Sequence, residues 1–286
     1  MSATHKPSIA GIGLRAPHVA AFQALRPYVP FIEIHTENHL CGGPMRAALH
    51  DLRADYPISL HCVGLSIGSA HGIDREHLER VRTLADEIDP YLVSDHLSAA
   101  NLAGLYTNDL IPVPLVEETL HLAAAHVDMV QETLGRQMLV ENPSVYVGFS
   151  QEYSRNELDE GTFLSELARR TGCGILCDVN NIFVTASNRG TSPHDSLKRF
   201  ERSAVREIHL AGHASEEDEN GTVLIDTHDR RACDEVLTLY AAAVAQFGDV
   251  PALFEWDSAL PELSVLLDEA ARVQTYIERE PAHAYA

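Results

Sequence analysis

The chain has 286 residues, 45% of them hydrophobic, and a formal net charge of −21. That length fits one α/β domain, residues 1–286, with a sizeable core, since barrels of roughly 250 residues form single domains. The charge argues against a nucleic-acid surface, which needs a basic footprint, and suits cations or a basic peptide or protein partner.

No apolar stretch approaches the ~20 residues of a membrane span. The start, Met1-Ser-Ala-Thr-His-Lys-Pro7, has no apolar signal region, so the expected location is cytoplasmic. The five cysteines form no CxxC pair, and reduced thiols are expected. Cys173 and Cys177 flank Gly-Ile-Leu on a predicted strand and read as core.

Eight short apolar runs punctuate the chain. In order they are Ile9–Leu14, Phe31–His35, Ile58–His61, Tyr91–His96, Met138–Asn142, Gly174–Asp178, Glu207–His209 and Ala252–Asp257. Helix-like stretches fall between them: Arg46–Tyr56, Asp74–Ile88, Leu115–Leu134, Glu157–Thr171, Arg231–Phe247 and Leu260–Ala270. Asp74 stands where it can cap its helix. The acidic stretch Ala214–Gly221 reads as an exposed loop, and the last ten residues carry no pattern. Continuous apolar strands alternating with helices predict a parallel sheet, and eight such units predict a (β/α)8 TIM barrel.

Nearly every run ends in a carboxylate, histidine or amide, and barrel enzymes do their chemistry at the C-terminal ends of the strands. Side chains alternate across a strand, so Glu33, His35 and Glu37 share one face, as do Glu255 and Asp257. Asp226 and His228 are read the same way, and His209 and His213 straddle a strand end. His61, His96, Glu141, Asp178, Asn181, His209, Asp226, His228 and Glu255 then converge on one mouth. So many negative groups would repel one another unless cations neutralised them. One metal takes about four to six ligands, so nine candidates suggest two or three ions with bridging carboxylates. Imidazole and carboxylate without thiolate suit iron, manganese or zinc.

The motifs Gly11-Ile-Gly-Leu-Arg15, Glu33-Ile-His-Thr-Glu-Asn38, Ser59-Leu-His-Cys-Val-Gly-Leu-Ser66, Ser94-Asp-His-Leu97, Glu141-Asn-Pro-Ser144, Asp178-Val-Asn-Asn181, Glu207-Ile-His-Leu-Ala-Gly-His213, Asp226-Thr-His228 and Glu255-Trp-Asp257 resemble the multinuclear non-haem iron-dependent oxidases. The resemblance is collinear from about residue 8 to 270. It implies a TIM barrel related to xylose isomerases and to trinuclear zinc endonucleases. It also implies two or three iron ions in a mixed Fe(II)/Fe(III) state, with dioxygen as co-substrate. The substrate class it implies is a cysteine-containing, ribosomally made precursor peptide, presented by a separate leader-binding partner protein. By the same resemblance one metal is held by His61, His96 and Glu141, and Glu141 bridges to a second held by Asp178, His209 and Glu255. A third takes Asn181, Asp226 and His228. Strand alternation alone would put Asn180 on the face of Asp178, whereas analogy to the trinuclear nucleases favours Asn181. His35, Glu37, Asn38, His213 and Asp257 are expected to orient ligands or touch substrate.

Other chemistries fit a metal-lined barrel. Phosphodiester hydrolysis needs the same ligands, but the charge of −21 weighs against it. Sugar isomerisation would want a lysine near the metals, and the lysines are Lys6 and Lys198, neither at a strand end. A protein that merely stores or senses metal would lack an open coordination position.

Overall fold

The structure, a computed structural model, describes residues 10–102, 104–146, 148, 157–218 and 221–279. Eight parallel strands close into a barrel: β1 (Ala10–Gly13), β2 (Ile32–His35), β3 (Ile58–His61), β4 (Val93–His96), β7 (Leu139–Glu141), β8 (Gly174–Asp178), β9 (Val205–Leu210) and β12 (Ala252–Phe254). Each strand pairs with its neighbour in the chain, and β12 closes on β1 through Ala10↔Ala252 and Ile12↔Phe254. Seven of these strands lie within the apolar runs, and β9 extends its run by two residues before Glu207 and one after His209, as parallel strands buried on both faces allow.

The crossovers carry α1 (Val19–Leu25), α2 (Pro44–Arg53), α3 (Arg75–Ile88), α4 (Glu117–Leu134), α5 (Glu160–Thr171), α6 (Val179–Arg189), α7 (Pro193–Leu197), α8 (Asp234–Phe247) and α9 (Leu263–Arg279). Alternation sends Ile32, Ile34, Ile58, Leu60, Ile208 and Leu210 outward against the helices, all fully or almost fully buried. It sends Glu33, Ser59, Glu207 and His209 inward. The barrel interior is therefore polar toward one end, and the apolar core lies between barrel and helices. Among the described residues no helix is long and apolar enough to cross a membrane.

Two hairpins stand apart from the barrel: β5–β6 (Ala99–Leu102, Leu105–Ile111) and β10–β11 (Ala214–Asp218, Gly221–Ile225). The second corrects the expected loop at 214–221. Its acidic residues have low strand propensity, and only antiparallel pairing with Gly221–Ile225 makes them a strand. Asn188 fixes the other edge of β11: its side chain donates to Leu224 O and accepts from Leu224 N, both at 2.8 Å. Helices α1, α6 and α7 were also not legible as apolar periodicity. The final segment runs as α9 to Arg279, and residues 280–286 lie outside the described residues.

Asp74 does cap α3, its carboxylate accepting from the backbone N–H of Glu76 and His77. Replacing it by alanine is expected to cost about 1 kcal/mol of stability, read from the midpoint of urea unfolding. An unchanged midpoint would mean the cap carries no weight.

Candidate metal centre

The barrel register sets the site. His35 pairs with His61, His96 with Glu141, and Asp178 with His209, which gathers these groups at the C-terminal ends of six adjoining strands. Glu255 follows β12 directly, and its backbone N–H donates to Leu210 O, which extends the ladder to bring it in. Glu141, Asp178 and His209 are completely buried, and His61, Glu255, Asn181 and His96 nearly so. Asp226 and His228 are half-buried on the rim.

Distances within the group are short. Glu141 Oε2 lies 3.4 Å from His61 Nε2 and 3.2 Å from His96 Nε2, while Glu141 Oε1 lies 3.9 Å from His209 Nδ1. Glu255 Oε2 lies 3.5 Å from His209 Nδ1 and 3.3 Å from His228 Nδ1. His228 Nε2 is 2.7 Å from Asp226 Oδ1. Three overlapping triads have ligand atoms close enough to share an ion: His61–His96–Glu141, Glu141–Asp178–His209 and Asp178–His228–Glu255. Glu141 and Asp178 each belong to two of them. A fourth, Glu33–His209–Glu255, lies one tier lower, and a fifth, His35–Glu255–Asp257, is already filled by a cation: Arg15 donates to Glu255 Oε1 and Asp257 Oδ1, each at 2.6 Å. That guanidinium occupies Oε1 and leaves Glu255 Oε2 facing the imidazoles.

Several of the donor atoms are free to hold an ion. Both oxygens of Glu141, Asp178 Oδ2, Asn181 Oδ1 and both ring nitrogens of His209 are buried without a hydrogen bond among the described residues. A buried polar atom left unpaired costs about 1–3 kcal/mol, so an ion at each triad would remove a real penalty. The chemistry of this donor set, imidazole with carboxylate and one amide, fits such a metal. Supporting bonds aim the ligands. Ser94 Oγ sits 2.7 Å from His61 Nδ1, which leaves Nε2 for the site.

The turn after β8 is built from amides. Asn142 pairs with Asp178 as another strand would, donating to Asp178 O at 3.0 Å and accepting from Asp178 N at 2.9 Å. Asp178 Oδ1 then caps α6 through Asn181 N, which leaves Oδ2 free. Because the chain turns helical at Val179, strand alternation stops there. Asn181 curls back, its Nδ2 donating to Asn142 O, with Oδ1 unpaired beside Asp178. Asn180 goes elsewhere: its Nδ2 donates to Asp226 Oδ1 at 2.7 Å.

Asp226 and His228 do not share a strand face, contrary to expectation. They follow β11 in an irregular segment, and His228 has left-handed backbone with φ 46°. That conformation is uncommon outside glycine and is held here by backbone bonds: His228 N donates to Gly212 O, and His228 O accepts from Asp257 N. Gly212 must be glycine, because a Cβ would stand 2.2 Å from Arg230 O.

The remaining expected residues divide. His35 Nε2 lies 3.4 Å from Glu255 Oε1, and Asp257 Oδ2 lies 3.3 Å from His228 Nδ1. Glu37 turns away to His77 Nε2 and Val63 N, and Asn38 is exposed on the 3-10 turn Thr36–His39. His213 Nδ1 bonds Asn180 Oδ1 at 2.8 Å and its ring stacks near Phe183. Sequence reasoning gave no role to Arg15 or Asn142, weighed Asn180 only as an alternative ligand to Asn181, and assigned no role to a second tier of carboxylates. Glu33 and Glu207 lie below His209, completely buried, with Glu33 Oε2 3.5 Å and Glu207 Oε1 3.9 Å from its Nε2. The period-two step back from His35 and His209 carries that signal. A cavity of about 670 Å³ is lined by Leu97, Pro143 and Ile182, neighbours in sequence of candidate ligands, but by none of those ligands themselves.

Charge crowding shows in the acid–base properties. Burial, with Asp178 and Glu255 nearby, pushes Glu141 up to about 8, and burial with Asp226 nearby pushes Asp178 up to about 7. Burial and Glu33 hold Glu207 well above the usual carboxylate range. His96 goes up to about 9: burial lowers it, and Glu141 and Asp95 outweigh that. All of these raised values mean that the folded, metal-free protein binds protons the unfolded chain gives up. Their stabilising contribution is full below the unfolded pKa and is lost as pH rises through about 7 to 9. Calorimetry on chelator-treated protein is expected to show Tm falling across that window. Added divalent metal, which must displace the same protons, is expected to raise Tm more at the high end than at the low end. A metal-induced shift independent of pH would contradict this.

Residues 9–278 match the family described as RiPP precursor modification enzyme MbnB/TglH/ChrH. A UPF0276 protein of Chromobacterium violaceum is 43% identical over 277 residues, covering 97% of this chain and 98% of the relative. A UPF0276 protein of Rhizobium meliloti is 42% identical over 277 residues, covering 96% and 88%. Among solved structures, a xylose isomerase-like TIM barrel protein from Mycobacterium smegmatis in complex with magnesium has a TM-score of 0.62 at 13% identity, over 97% of this chain and 98% of that one. Endonuclease IV from Thermus thermophilus has a TM-score of 0.54 at 13% identity, over 94% and 99%. At such identities the structural likeness is one of fold alone. The near-complete match and the identities above 40% place this chain in the family of RiPP precursor modification enzymes MbnB/TglH/ChrH.

Proposed function

We propose that the protein is a multinuclear iron- and dioxygen-dependent oxidase that modifies cysteine in a ribosomally made precursor peptide. The observation that carries this reading is the set of buried, unpaired donor atoms shared between adjoining triads, in a chain of a peptide-modifying family. His61, His96 and Glu141 would hold one iron, Asp178, His209 and Glu255 a second with Glu141 at hand, and Asn181, Asp226 and His228 a third, although the distances also group His228 with Asp178 and Glu255. Bound iron supplies one-electron redox chemistry with dioxygen and a Lewis acid for the cysteine thiolate.

The chain's own residues do the positioning. Arg15 pins Glu255 by one oxygen, Ser94 aims His61, and Asn142 fixes the turn that carries Asp178 and Asn181. His35, His213 and Asp257 are the groups placed to orient ligands or meet the peptide at the rim, with Glu37 and Asn38 supporting the β2 end. Oxazolone–thioamide and thiooxazole groups are the expected product types. The acidic surface suits a basic peptide or a separate leader-binding partner. A cytoplasmic site of action is part of the same reading.

Phosphodiester hydrolysis is the alternative that the fold allows, and the charge of −21 disfavours it. For sugar isomerisation the needed lysine is missing from the described site: Lys198 is exposed and pairs with Asp195.

Metal analysis with Mössbauer spectroscopy on anaerobically purified, iron-grown protein tests the proposal. Two or three antiferromagnetically coupled irons per chain are expected, whereas a stoichiometric zinc load without iron would turn the assignment to hydrolysis. Glu141→Ala is expected to remove more than one metal equivalent, because that carboxylate serves two triads. His213→Gln is expected to keep the metal and lower turnover about 10²-fold or more, as loss of a positioned proton-transfer group does. Full metal and activity in Glu141→Ala would refute the bridging role.

A further inference from the structure

Asn180 joins a carboxylate to an imidazole. Its Nδ2 lies 2.7 Å from Asp226 Oδ1 and its Oδ1 lies 2.8 Å from His213 Nδ1. Chemistry fixes the direction of both bonds. A carboxylate only accepts, so the amide NH₂ must face Asp226 and the amide oxygen must face His213. An amide oxygen also only accepts, so the proton in the second bond sits on His213 Nδ1. In the neutral ring Nε2 is then a bare lone pair.

The surroundings favour that neutral ring. His213 is half-buried, and its ring lies 5.3 Å from that of Phe183 at an interplanar angle of 31°. Burial lowers its pKa and Arg230 lowers it further, against Asp226 and Glu235, which raise it. The residue stands four positions beyond His209 and is linked to Asp226 through the Asn180 amide.

We propose that Asn180 is a positioning residue that locks His213 as the Nδ1–H tautomer, so that Nε2 serves as the proton acceptor for the bound peptide. When a peptide N–H or S–H bond breaks, its proton joins Nε2 and its electron pair stays on the peptide atom. The imidazolium so formed keeps its Nδ1 proton on Asn180 Oδ1, and Asp226 balances the charge through the same amide. The peptide part of this assignment rests on the proposed function, while the tautomer does not.

Nitrogen-15 NMR of the full chain, labelled at histidine and loaded with zinc alone, reads the tautomer without dioxygen or peptide. His213→Gln identifies the resonances. At neutral pH, Nδ1 is expected in the pyrrole-type range and Nε2 in the pyridine-type range. In Asn180→Ala the two signals are expected to move toward each other as tautomers mix, with zinc content measured in parallel. An Nε2–H tautomer or a doubly protonated ring in the unaltered protein would overturn the proposal. So would an unmixed Nδ1–H tautomer in Asn180→Ala. Failure to bind iron, by contrast, would sink the oxidase reading and leave the tautomer result standing.

Discussion

A closed parallel barrel gathers its strand ends at one mouth, and here that mouth is crowded with negative charge. Glu33, Glu141, Asp178, Glu207, Asp226, Glu255 and Asp257 lie within reach of one another's neighbours. Among the described residues Arg15 is the guanidinium bonded to this group, and it reaches only Glu255 and Asp257. Like charges in a desolvated site must be protonated or neutralised. The rest of the arrangement follows from that constraint. The raised pKa values of Glu141 and Asp178 are the metal-free answer, and cations at the triads are the other.

The supporting residues make sense as ways of dividing each ligand between a structural and a chemical role. Asp178 gives one oxygen to the α6 cap and keeps one for the site. Glu255 gives one to Arg15, and His61 gives Nδ1 to Ser94. Asn142 substitutes for a strand where the β7–β8 ladder runs out, so the turn that carries two candidate ligands is as fixed as the sheet. A group whose second atom is committed cannot swing, which is how this barrel mouth achieves a defined geometry.

The barrel itself was legible because its strands are buried on both faces and read as unbroken apolar runs. Ile58–His61 and Gly174–Asp178 have the expected limits, and the strand-end histidines and carboxylates stand at those limits. The hairpin Ala214–Ile225 was not legible, since acidic residues become a strand only by pairing with a partner. Nor was α6, whose first turn carries Asn180 and Asn181 in place of an apolar stripe. That helix leaves Asn181 Oδ1 buried and unpaired and ties Asn180 to Asp226 and His213, an arrangement that alternation counted from Asp178 does not give.

What the sequence determined by itself was the set of chemical groups and their order along eight strand ends, because period and polarity are local properties. Family membership is likewise a property of residue order, and collinear motifs carry it. Tertiary structure alone decided how the groups are shared. The left-handed backbone at His228, the Arg15 clamp on Glu255, the buried pair Glu33 and Glu207, and the Asn180 link to His213 all depend on contacts between distant segments. Their cause is the closure of the barrel, which brings residues more than 200 positions apart, such as Arg15 and Glu255, within one hydrogen bond.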